Sequence, residues 1–323
     1  MHDKPGRKVF DYMEGYVVCA VYSGLERIGK LDRFAEHGLT ADDLGSNAFL
    51  TEATLRYLSQ RGLAREEGGV HRPTDLGREL YADRGYLNWL SGGYGEPLHA
   101  FGDLLTGAAT FGEQVDRDVR WVAVGTALAG GKDLRPYVMD LLNRIEFSRA
   151  ADLGCGNGHL LISLCRATGG NGVGIDISAD ACAEAREEVR RAGMEDRIDI
   201  VHADARDPWG VPELEDVQLA MMFFFLHEVL ELGYAVLVDY LRQLHARLPR
   251  GARALAAEIS PPRVAFETPE LVSPEYTLTQ AFMSQRLLNE DEWRAVWEEA
   301  GFEMEKIVPT DLPETHLYLA RKA

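Results

Sequence analysis

The 323-residue chain has little cysteine: only Cys19, Cys155, Cys165 and Cys182, with no metal-type pairing in their spacing. A disulfide framework and a cysteine-held metal are therefore not expected, and reduced thiols are the default. Long apolar runs are also lacking, since none approaches the roughly 20 residues needed to cross a bilayer. The opening Met-His-Asp-Lys-Pro-Gly-Arg has no apolar leader, so a cytoplasmic location is expected. Positive charge is the third shortage. With 34 basic against 52 acidic residues, the formal charge of -18 opposes binding to phosphate backbones or anionic membranes, which makes nucleic acid a poor substrate. A solvated acidic surface is the plainer account of the excess, although it also suits a cationic small substrate. What is present, 46% hydrophobic and 27% charged residues without internal repeats, fits a globular protein with a sizeable core.

The first part of the chain has apolar residues at helical spacing from Lys8 to about Leu80. Thr40 and Thr51 stand where helix N-caps belong, and Gly68-Gly69 between Arg65-Glu66-Glu67 and Val70-His71 predicts a tight hairpin. Three helices followed by a hairpin is a winged-helix order. A DNA-reading role is disfavoured because Arg56, Arg61 and Arg65 are accompanied by Glu52, Glu66 and Glu67. Past a glycine-rich connector the pattern changes, and short apolar strands alternate with amphipathic helices from about Arg149 to Lys322. That alternation predicts an α/β domain with a mainly parallel sheet covered on both faces. The expected division is a helical, winged-helix-like domain over residues 1–110 and a ligand-binding domain over residues 111–323.

In a doubly wound sheet the ligand sits beyond the carboxyl ends of the strands, at the turn from the first strand into its helix. Here that turn is DLGCGNG, Asp152 to Gly158, whose glycines let a ligand approach the main chain. A glycine loop alone also fits a dinucleotide site. Three carboxylates turn the reading toward S-adenosylmethionine. Asp152, just before the loop, suits a cationic amino acid head group and would repel a pyrophosphate. Asp176 ends the next strand at the separation expected of a ribose ligand. Asp204, in HADARDP, is placed to accept a hydrogen bond from an adenine amino group, while Ala205 offers its amide.

This set closely resembles the class I methyltransferase family, with a Rossmann-like sheet, from about Ser148 to the end of the chain. The resemblance implies that Asp152, Gly154 and Gly156 line the methionine part, Asp176 and Ile177 the ribose and adenine, and Asp204 and Ala205 the adenine edge. It also implies Phe223 or Phe224 beside the sulfonium, with plain core packing as the alternative for each. The segments FFFLHEV and LPRGARALAAEI, with the N-terminal module, are similar to the winged-helix O-methyltransferases. On that resemblance His227 is the general base, Glu258 orients it or meets the substrate, and Glu228 stands where those enzymes usually have Asp. A neutral imidazole suits such proton transfer.

A narrower resemblance joins SGGYGEPLHAFGDLL, WVAVGTALAG, FFFLHEVLE and PEYTLTQAFMSQRLLNEDEW to the C-methyltransferases that act on α-keto acids in peptide precursor pathways. It implies carbon methylation of a small keto acid in secondary metabolism, with 2-ketoarginine the leading candidate and antibiotic biosynthesis the setting. O-methylation of a phenol or other hydroxyl is the alternative, and an inactive ligand-binding protein is a third reading that intact Asp152, Asp176, Asp204 and His227 oppose. In some relatives the histidine shares iron with a second histidine. This chain has Thr279, Gln280 and Gln285 in the corresponding region, so no metal ligands are assigned. A substrate carboxylate calls for an arginine, with Arg120, Arg135 and Arg286 as candidates, and a substrate guanidinium would look to Tyr94, Glu96 or Glu275. The resemblance also implies a possible homodimer through the N-terminal helices.

Overall fold

The computed structural model describes residues 7–214, 216–261 and 274–323. The first six residues, most of the opening read above as lacking a leader, lie outside them. Two compact units divide at Gly131 and Lys132.

The first unit contains helices α1 (Val9–Arg27), α2 (Leu31–His37), α3 (Ala48–Gln60), α4 (Asp75–Ala82), α5 (Arg84–Leu87), α6 (Gly95–His99), α7 (Phe101–Thr106) and α8 (Val119–Asp133), the last running two residues past the division. Strands β1 (Ala64–Glu67) and β2 (Val70–Pro73) form an antiparallel hairpin with Glu67 opposite Val70, so Gly68-Gly69 make the expected two-residue turn. Tyr22, Phe34, Leu39, Leu55 and Leu58 form the centre of its core. Thr40 is the expected N-cap, its amide and hydroxyl both donating to Asp43 at 2.8 Å. Thr51 is not a cap. Helix α3 begins earlier, where the Asn47 side chain accepts the Leu50 amide at 3.1 Å, and Thr51 is buried within it. The boundary also differs from the expected 110/111, because α8 belongs to the first unit. A Cβ on Gly85 would lie 2.5 Å from the Ala129 nitrogen, and one on Gly125 would lie 2.5 Å from the Trp89 nitrogen. Those backbones approach too closely for any side chain, which ties α8 to α5 and the segment following it.

The second unit contains strands β3 (Arg149–Leu153), β4 (Asn171–Asp176), β5 (Ile198–His202), β6 (Leu219–Phe223), β7 (Arg253–Ile259), β8 (Glu303–Pro309) and β9 (Thr315–Arg321). Its helices are α9 (Arg135–Leu142), α10 (His159–Thr168), α11 (Ala179–Arg191), α12 (Leu226–Glu231), α13 (Tyr234–Arg247), α14 (Pro274–Phe282) and α15 (Glu290–Glu299). The seven strands lie in the order β5-β4-β3-β6-β7-β9-β8. The first five are parallel, and β9 runs antiparallel to β7 and β8. Both faces are covered, with Tyr240, Leu241, Trp293 and Trp297 in one layer and Val138, Leu161, Ile162 and Val189 in the other. Strand β7 is accordingly apolar on both sides: Ala254 and Ala256 enter the first layer, Leu255 and Ala257 the second. The buried charged exception is Glu258, near its carboxyl end and 1% exposed.

Candidate active site

The loop after β3 turns back on itself through Gly154, Gly156 and Gly158, all with positive φ. The amides of Gly154 and Cys155 donate to the Ile175 carbonyl at 2.8 and 3.0 Å, which holds the loop against β4. Asp176 completes this attachment: its two oxygens accept the amides of Gly156 at 2.9 Å and Ser178 at 2.8 Å. Each oxygen keeps a further lone pair for a ribose hydroxyl. Asp152, the penultimate residue of β3, is 4% exposed. Burial, with the neighbouring charge of Asp176, pushes its carboxyl up to about 7.

The adenine end is expected at the segment after β5. Asp204 accepts the Arg206 amide at 2.9 Å and two guanidinium nitrogens at 3.0 and 2.7 Å, and the arginine holds its carboxyl below the usual range. The Ala205 carbonyl accepts the buried Tyr240 hydroxyl at 3.0 Å. Ile177 is 58% exposed beside the end of β4, and its carbonyl is 2.9 Å from the His202 ring. Arg206 and Tyr240 were not singled out from sequence. Arg206 was accessible to such reasoning, two residues from Asp204, but nothing local in the α13 pattern marks Tyr240.

At the carboxyl ends of β6 and β7, Phe223 and Phe224 are half-buried against the layer on the α9–α10 side. Phe224 adopts φ 54, unusual for a non-glycine residue, and donates its amide to the Ala257 carbonyl at 2.8 Å. The chain thereby leaves the strand abruptly and enters α12. One Glu258 oxygen accepts the amides of Phe225 at 3.0 Å and Leu226 at 2.7 Å, and the other lies 2.8 Å from His227 Nδ1. Glu258 thus caps the start of α12 and bonds the imidazole through the same carboxylate. Burial works against the charged form of His227. The charge and hydrogen bond of Glu258, supported by Glu228 and Glu231, outweigh it and hold the imidazole above its ordinary pKa. Glu228 itself is exposed on α12.

The other candidates are exposed or already have partners. Arg120, Arg135, Glu96 and Glu275 are exposed. Arg286 is paired with Glu292 at 3.0 Å, and the buried Tyr94 accepts a hydrogen bond from Arg117 at 3.3 Å within the first unit. Among the described residues no three His, Cys, Asp or Glu side chains form a metal-holding group. No described helix is long and apolar enough to cross a membrane.

A methyltransferase domain matches residues 150–251, which run from β3 to the turn before β7. The chain is 31% identical over 281 residues to 2-ketoarginine methyltransferase of Streptomyces arginensis, an alignment covering 82% of this chain and 77% of the relative. It is a class I S-adenosylmethionine-dependent methyltransferase. A second relative of this methyltransferase, the indolepyruvate C-methyltransferase of Streptomyces griseus, is 26% identical over 303 residues, covering 90% of this chain and 88% of that one. Among solved structures, PigF with SAH superposes with a TM-score of 0.69 at 19% identity, covering 99% and 100% of the two chains. S-adenosylmethionine is the methyl donor, and the residues present fit it. A Cβ placed on Gly156 would meet nothing within 4 Å, so the loop leaves open space, while the buried Asp152 just before it is a carboxyl whose charged form a cationic ligand would favour.

Proposed function

We propose that this methyltransferase methylates carbon beside the carbonyl of a small α-keto acid, with 2-ketoarginine as the leading acceptor. The observation that carries the reading is His227 held by the buried Glu258 at 2.8 Å. Its support comes also from the two relatives named above, whose names both specify keto acids and whose matches extend over most of the chain.

Asp152, Gly154 and Gly156 hold the methionine part of the donor, Asp176 and Ile177 the ribose and adenine, and Asp204 and Ala205 the adenine edge. Phe223 and Phe224 lie at the strand end where the methyl group is presented. Bound S-adenosylmethionine supplies an electrophilic methyl group. With Nδ1 committed to Glu258, His227 takes the proton from the acceptor carbon on Nε2, and Glu258 stabilises the imidazolium that forms. Glu228 adds negative charge from the surface of α12. Loss of that proton leaves a nucleophilic carbon, its charge shared with the carbonyl oxygen. Holding both reactants in one site supplies much of the remaining acceleration. The same reading includes a homodimer formed through α1, supported by the exposed Tyr12, Met13 and Tyr16 on that helix, and a place in secondary metabolism.

Mass spectrometry of purified protein with S-adenosylmethionine and 2-ketoarginine, phenylpyruvate and simple phenols tests the reaction. The expected result is a one-methyl gain on a keto acid, with loss of isotope label from the carbon beside the carbonyl. Methylation of phenols alone would replace this reading with O-methylation.

A further inference from the structure

Glu314 lies in the turn that leads into β9, and its backbone carbonyl accepts the Ser260 amide at 2.7 Å. Ser260 directly follows β7, two residues beyond Glu258, so Glu314 stands at the same sheet end as the imidazole and its partner. Both Glu314 carboxylate oxygens are buried, and neither has a hydrogen-bond partner among the described residues. Burial raises its carboxyl above the ordinary value.

The backbone gives no reason for a glutamate here. Glu314 has φ 53, a conformation in which glycine, asparagine or aspartate is more usual. The side chain is costly as well, because a buried carboxylate without a compensating partner is destabilising. Both costs fall just before the amino end of β9 and beside the carboxyl end of the antiparallel β7, the sheet end where ligands of such sheets bind. Two oxygens without a hydrogen-bond partner among the described residues match the parallel N–H pair of a guanidinium.

We propose that Glu314 is a specificity-determining residue that receives the cationic end of the acceptor, a guanidinium or comparable cation on a keto acid. The reach is suitable. Two residues of strand span about 7 Å, and a guanidinopropyl arm covers on the order of 6 Å from standard bond lengths. The inference rests on the keto acid reading and adds the sign of charge on the acceptor's far end.

The test compares kcat/KM for 2-ketoarginine and phenylpyruvate in wild type and Glu314→Gln. The substitution is expected to lower the value for 2-ketoarginine by roughly ten- to a hundredfold, the loss typical of one charged hydrogen-bonding partner, and to leave phenylpyruvate within about threefold. Equal losses on both substrates, or no loss on 2-ketoarginine, would overturn it. A wild type that methylates phenylpyruvate but not 2-ketoarginine would overturn this inference and leave the keto acid reading standing. Turnover of neither defeats both. Should Glu314→Gln not fold, the wild type decides with the uncharged isostere 5-ureido-2-oxopentanoate. At least a tenfold loss against 2-ketoarginine supports the carboxylate, and equal turnover overturns it.

Discussion

Asp152 and Glu258 are both carboxylates near strand ends of one sheet, 4% and 1% exposed. Glu258 is surrounded by donors: two backbone amides and an imidazole nitrogen, all within 3.0 Å. Asp152 has another carboxylate, Asp176, as its electrostatic neighbour, and burial with that charge lifts it to about 7. Equal burial therefore has opposite meanings. The interactions of Glu258 are already made inside the protein, whereas those of Asp152 favour a cation arriving from outside.

The sharpest break of this contrast is at the satisfied end. His227→Asn should lower kcat/KM by about 10²- to 10⁴-fold while S-adenosylmethionine affinity, read by calorimetry, stays within a fewfold. Glu258→Ala should add a stability loss of roughly 3–5 kcal/mol, because it strands buried donors, visible as a lowered denaturation midpoint. Undiminished turnover in either variant would remove the pair from the chemistry. In the wild type the base form of His227 is required and its pKa is raised, so turnover should fall as pH drops through that elevated value.

A smaller effect is expected at Asp152. Its carboxyl is raised from 3.8 to about 7, so the folded protein binds the extra proton between those values, and the ligand-free protein should lose stability as pH rises through that window. Cofactor binding prefers the carboxylate and should weaken below pH 7, by at most about tenfold per pH unit. Asp152→Asn should flatten both dependences. An unchanged pH profile of cofactor affinity in that variant would show that the carboxylate does not meet the ligand's charge.

The smallest effect belongs to Arg206, which binds the Asp204 carboxylate on a half-exposed surface. Exposed pairs of this kind contribute roughly 0–1 kcal/mol, so Arg206→Ala should change cofactor affinity less than about fivefold by calorimetry. A larger change would mean that the pair holds the adenine segment in place.

Much of this was legible in the sequence because the signals are local. The run HLLISLCRAT is α10, and the glycine loop with Asp152 and Asp176 follows from strand and helix alternation alone. The Glu258 contact with His227 bridges 31 positions and depends on β6 lying beside β7, a pairing no local period reveals. Helix α12 is hidden from local patterns for a related reason. FFFLHEV reads as the end of an apolar strand, and only the φ 54 of Phe224 and the cap from Glu258 turn it into a helix. The packing that joins most of α8 to the first unit, at Gly85 and Gly125, is likewise a long-range fact that no local period reveals.

The cap has a consequence for how the base can be observed. The Phe225 and Leu226 amides share one carboxylate with the His227 ring, so Glu258 cannot leave the imidazole without the first turn of α12 losing an acceptor too. Amide hydrogen exchange at those two positions therefore reports on the placement of a side chain. Protection that persists up to global unfolding marks an imidazole oriented before any substrate arrives, whereas exchange through local opening marks one that substrate must help to set.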